Sequence, residues 1–162
     1  MPDREEIETR EQAQRDAEEG KSASTQAGEF VREEIHHVRE GKHGARSTKQ
    51  AIAIGLSKAR RAGVKLPAPP GPSNVRRQAQ RDLARSHEAP SPARSRATHR
   101  ALEHEGHSAA SKTALSRQAT SAAARRSPRE RSQAARQAAK TKGAAGRSRA
   151  ARKAAATRAR ST

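Results

Sequence analysis

The chain has no cysteine, tryptophan or tyrosine, and Phe30 is its single phenylalanine. Without thiols there is no disulfide framework, thiolate metal site or cysteine nucleophile. Without aromatic platforms, stacking on single-stranded bases is excluded as a way of binding nucleic acid. Large aliphatic residues are also scarce. Of 50 apolar residues among 162, 35 are alanine, leaving five Leu, four Ile, four Val, Phe30 and Met1. No apolar run approaches the roughly 20 residues that cross a bilayer, so no membrane partner is expected. The first twenty residues are acidic, with Ile7 as their one large aliphatic after Met1. That pattern excludes a secretory signal and argues against a mitochondrial transit peptide. Leu, Ile, Val and Phe together make 14 of 162 residues, and such scarcity with high net charge belongs to the disordered class. The expected fold is mostly disordered, α-helical where ordered, with one marginal αα-hairpin and short separate basic helices.

What the chain has is charge. Lys and Arg number 35 against 17 Asp and Glu, a net +18 with a pI near 11.7. Its distribution is uneven. Residues 1–40 hold six basic and twelve acidic side chains, whereas 41–162 hold 29 basic and five acidic. Over 106–162 there are fifteen basic residues and one acid, Glu130. A basic arm beside a separate head points to a polyanionic partner, of which nucleic acid is the usual one.

Four segments follow from this pattern. Residues 1–28 can form helix but have no apolar stripe, and are expected as a mobile acidic lead-in. Residues 29–66 form the predicted hairpin. Val31, Ile35 and Val38 share one helical face, and Gly41 stands where a left-handed cap is wanted. Ser47 and Gln50 have capping-box spacing, which starts the second helix at Thr48. Ile52, Leu56 and Ala59 repeat the helical stripe, Gly55 beside them permits close approach, and Gly63 ends the helix. Val64 and Leu66 can then fold over the open end. The predicted hairpin core is Val31, Ile35, Val38, Ile52 and Leu56. Residues 67–73, PAPPGPS, read as a stiff linker.

Residues 74–162 read as a low-complexity Ala/Arg arm with short helices. Ser73 is a predicted cap for a helix through Arg85. Ser91-Pro92 opens another that Gly106 closes, and Thr113 starts a third. Ser127-Pro128-Arg129-Glu130 is the clearest start signal, with Gly143 as the stop. RSQAARQAAKTK at 131–142 is repeated as RSRAARKAAATR at 147–158.

The arm's candidate phosphate contacts are Arg125, Arg126, Arg129, Arg136, Lys140 and Lys142, then Arg147, Arg149, Arg152, Lys153, Arg158 and Arg160. Alanine favours helix, like charges oppose it, and a polyanion removes that repulsion, so ordering on binding is expected. In the hairpin, Lys49, Lys58, Arg60, Arg61 and Lys65 would face phosphate if it acted as a helix-turn-helix. No third helix braces the pair, which favours self-association or docking through the hairpin. Base reading needs a rigid frame that aims a few side chains, and the arm supplies none.

Histidines occur at His36, His37 and His43, and again at His99, His104 and His107 around Glu103 and Glu105. Neither set shows zinc-motif spacing, so they read as surface residues, with no metal and no cofactor. No nucleophile, base and orienter assemble, and an enzyme is not expected.

Residues 40–67, EGKHGARSTKQAIAIGLSKARRAGVKLP, resemble a small family of short basic bacterial proteins whose core is EGK, then S-x-KQAIAIxLS-x-AR, then AG and K-x-P. That family is a domain of unknown function, so the resemblance implies a bacterial origin. The ending SRAARKAAATRAR is similar to the tails of bacterial proteins labelled plasmid stabilisation or DNA-binding, and to linker-histone tails. The leading expectation is a nucleoid or histone-like protein of the bacterial cytoplasm that binds duplex DNA without sequence preference. The alternatives are a disordered stress-related or scaffold protein and an RNA- or ribosome-associated basic protein.

Overall fold

A computed structural model describes residues 4–69, 71–86, 88 and 91–160. Pro70 of the expected linker, the first three residues of the acidic segment and the last two of the arm lie outside the described residues. The chain divides into two compact units, Met1–Gln118 and Ala119–Thr162, here called the head and the arm.

The helices are α1 (Arg4–Glu18), α2 (Ala23–Glu40), α3 (Thr48–Arg61), α4 (Ser73–Ala84), α5 (Pro92–Glu103), α6 (Lys112–Ala124) and α7 (Pro128–Ala159), with a 3-10 turn at Ser108–Ala110. No strand occurs among the described residues. The expectation of a mostly disordered chain with one marginal hairpin is therefore overturned: the protein is folded and all-helical. The physical reason is the alanine core. Gly55 lies so close to α2 that a Cβ there would stand 2.7 Å from Val31 Cα. At such an approach small side chains fill the space between helices, and dispersion accrues from many short contacts. Among the described residues, eight of the thirteen buried apolar ones are alanine, and the larger five are Phe30, Ile35, Val38, Val64 and Leu102.

The hairpin forms, but its inner face is turned by one residue. Ala51, Gly55 and Ala59 of α3 are buried, while the predicted Ile52 and Leu56 are partly exposed. Ile35 and Val38 are buried and Val31 partly so. Local punctuation matches the sequence reading closely. Ser47 caps α3 by accepting from the Gln50 amide, and Gly41 closes α2 with φ 77°. Val64 is buried beside Phe30, Ala27 and Ala59, and Leu66 packs against that cluster.

The acidic lead-in is not a loose segment. It forms α1, which packs against α2 through Ala13, a member of the Phe30 cluster. The C-terminal side of the head completes a second cluster. Ala109 and Ala110 of the 3-10 turn join Ile35, Val38, Ala45 and Ala51, with Leu115 against them. Thr48 Oγ1 donates to Ala109 O at 2.6 Å and Arg39 Nε to Ala110 O at 2.8 Å. Gly44 N–H and Ala45 N–H donate to Leu102 O and Gly106 O at 2.9 and 3.0 Å. Residues 74–118, expected as the beginning of the low-complexity arm, thus belong to the head. Two of the expected starts also shift. Ser111 rather than Thr113 caps α6, accepting from the Ala114 amide, and Ser73 stands inside α4 rather than at its cap.

In the arm, Ser127 accepts from the Glu130 amide and Glu130 reaches back to Ser127 N–H, with Pro128 in the first turn. The helix is broken at Gly143, which has φ 65° and ψ 172°, a conformation open to glycine. No residue of α7 is buried.

Candidate nucleic-acid interface and a buried ionic cluster

The arm is helical, broken at Gly143, and rich in exposed cations. Residues 119–162 hold thirteen Arg and Lys and one acid, Glu130. All twelve predicted contacts from Arg125 to Arg160 are exposed. Two of them bond back to the backbone: Arg147 Nη1 donates to Ala139 O at 2.7 Å across the Gly143 break, and Arg158 Nε to Ala154 O at 3.3 Å. The remaining donors of each guanidinium face solvent. Glu130 offsets one of these thirteen charges, and Ser127 Oγ and Ser127 N–H both donate to its Oε2 at 2.7 Å. Those two bonds, the hydroxyl first, hold its carboxyl below the usual range.

The five hairpin cations do not form one face. Lys49 and Lys65 are exposed. Lys58 is turned inward, with Nζ 2.9 Å from Glu34 Oε2 and 3.9 Å from Glu33 Oε1. Arg60 is buried, its Nη1 reaching Leu56 O at 3.5 Å. Arg61 Nη2 stands 3.7 Å from Asp82 Oδ1, on the carboxylate that ties α4 to α3 through Ser57 Oγ at 2.7 Å. Three of the five are thus engaged within the head.

The sequence reading missed the acids that hold them. Glu33 and Glu34 are buried on α2, and Glu34 is 0% exposed. His43, in the loop after α2, brings Nε2 to 3.4 Å from Glu34 Oε1. Its ring centroid lies 6.0 Å from that of His37 and 6.3 Å from that of His99. His37 and His43 are buried, not surface residues. One signal was present: Glu34 and His37 stand at i and i+3, neighbours on one helical face.

Ion pairs also dock α1. Glu5 Oε2 accepts from His37 Nε2 at 2.9 Å and from Lys42 Nζ at 2.6 Å. The Lys42 bond, then the His37 bond, holds the Glu5 carboxyl below its usual value, and Glu5 raises Lys42 in return. At the other end of α1, burial pushes Asp16 up, but hydrogen bonds from Lys21 and Gln12 outweigh it and the net shift is downward.

Residues 18–69 match the profile of a family described as "Family of unknown function (DUF6496)". The matched span covers α2, α3 and the loop that carries His43. It contains Glu33, Glu34, His37, His43 and Lys58, and it leaves out the arm. No curated protein and no solved structure matches the chain.

Proposed function

We propose that this protein binds nucleic acid, duplex DNA in particular, by neutralising backbone phosphates with the cations of residues 119–162, without reading sequence. The observation that supports this most is the arm's uncompensated charge: thirteen cations, one acid, and that acid occupied by a helix cap. Arg outnumbers Lys by 26 to 9 over the chain, and the guanidinium fork suits phosphate better than an ammonium does. The small alanines between the cations let each helix of the arm approach a groove closely. A helix broken at Gly143 gives no rigid frame that aims a chosen few cations at base edges, and the arm has no aromatic side chain to stack on bases.

A labelled duplex titrated with the full chain at about 50 and about 200 mM salt tests the proposal. Six to ten phosphate contacts predict a loss of affinity of about 10³ to 10⁵ between the two. Affinity that does not change with salt removes the proposal. A structured RNA of equal length, run in parallel, sets DNA against RNA, and a preference for RNA overturns the duplex-DNA assignment.

A further inference from the structure

We propose that Glu34, His37 and His43 form a binding site for a divalent transition metal ion of the zinc class. The proposal is separate from nucleic-acid binding, because all three residues belong to the head. One ligand atom from each of the three lies within 4.8 Å of the others, and all three side chains are buried.

The first ground is the tautomer of His43. Its Nδ1 lies 3.1 Å from the Gly44 carbonyl, which only accepts, so Nδ1 carries the proton. In the neutral ring Nε2 is then a lone pair, and it faces Glu34 Oε1, another lone pair, at 3.4 Å. That separation is longer than a charge-assisted hydrogen bond. It equals the distance between two ligand atoms of a tetrahedral zinc ion, about 3.4 Å for bonds of about 2.0–2.1 Å. The carbonyl on the far nitrogen is the outer partner that metal-bound histidines usually have. His37 has one too, since Glu5 Oε2 accepts from its Nε2 at 2.9 Å.

The second ground is charge. Neither oxygen of Glu34, which is fully buried, accepts a hydrogen bond of good geometry. The cation nearest the Glu34 oxygens is Lys58, on Oε2 at 2.9 Å. A fully buried carboxylate with no hydrogen bond of good geometry on either oxygen can take a further positive charge. With Lys58 on Oε2, Oε1 is the oxygen left to bind metal beside His43. Two imidazoles and a carboxylate suit Zn²⁺, and Co²⁺ as its spectroscopic stand-in, rather than Ca²⁺ or Mg²⁺.

The test is a Co²⁺ and Zn²⁺ titration of the full chain after chelation and dialysis, read by cobalt absorption and by the thermal midpoint. Saturation at one equivalent per chain, visible d–d bands and a rise in midpoint with Zn²⁺ are expected. His43→Gln should weaken binding more than about tenfold, whereas His36→Gln, in the exposed group with Glu5 and Glu40, should leave it unchanged. Because a core variant can misfold, the imidazole resonances of His37 and His43 in the wild-type chain are followed as Zn²⁺ is added. Shifts confined to these rings support the site. No saturable binding, binding unchanged in His43→Gln, or shifts at other histidines instead would overturn it.

Discussion

The head and the arm carry net charge of the same sign and dispose of it in opposite ways. The head, residues 1–118, has 22 basic and 16 acidic side chains, and the arm, residues 119–162, has 13 and one. In the head four acids go inside and are held by cations. Asp16, Glu33, Glu34 and Asp82 are buried, each within 4 Å of a Lys or Arg, and Glu5 ties α1 to His37 and Lys42. In the arm no described residue is buried, and the cations are exposed. A net-charge figure for the full chain hides this division. The same residue type, an arginine that follows an alanine, is buried at Arg60 and an exposed cation at Arg152.

Replacing Arg147, Arg149, Arg152 and Lys153 together by Gln gives the largest expected contrast. Losing four phosphate contacts should lower duplex affinity roughly a thousandfold near physiological salt and flatten the salt slope by nearly four. Replacing the exposed head lysines Lys49 and Lys65 should change affinity much less. A larger effect from the head pair than from the arm set would reverse the division.

Next in size is Gly44→Ala, read by thermal or denaturant unfolding. A Cβ at Gly44 would stand 1.8 Å from Glu105 O, so the loop must move and strain its bonds to Leu102 and Gly106. A loss of about 3 kcal/mol is expected, at the upper end of overpacking costs. The same substitution at Gly146 in the arm meets the flexible Lys142 side chain, and there helix propensity should prevail, with a gain of about 0.5 kcal/mol.

Ser127→Ala should cost the first turn of α7 about 1 kcal/mol. Amide exchange at residues 129–132 should quicken while the head stays as protected as before. Unaltered exchange there would mean the cap contributes nothing.

The smallest effect is that of acid. Glu5 and Glu130 both titrate below their ordinary value of 4.5. Their contributions are therefore complete above pH 4.5 and fade as pH falls through the lower folded values. Glu130 is exposed and Glu5 half-buried, so the losses should be modest and screened by salt. Circular dichroism and the exchange of α1 amides between about pH 5 and pH 2 follow the fading; loosening of α1 already near neutral pH would contradict the assignment to Glu5.

Much of the head's local grammar was legible in the sequence. Gly41 as a left-handed cap, Ser47 before Gln50, Gly55 as a point of close approach and Val64 folding over the helix end are each set by a few neighbouring residues. So are Ser127-Pro128 and the break at Gly143. Pairings across long separations were not legible: Glu5 with His37 and Lys42, Glu34 with His43 and Lys58, Thr48 with Ala109. No periodicity announces them. The scarcity of Leu, Ile and Val misled for a related reason. Counting large side chains presumes helices held apart by them, whereas Ala51, Gly55 and Ala59 let α3 settle directly on α2. Of the candidate sites, the arm was visible from composition alone. The buried cluster needed α2 and its following loop to be folded first.

The most direct check is amide chemical-shift mapping of the full, isotope-labelled chain as duplex DNA is added. Shifts concentrated in residues 119–160, with the signals of α1, α2 and α3 unmoved, are the expected result. Shifts centred on α2 and α3, with those of α7 unchanged, would contradict it and place nucleic-acid binding in the head.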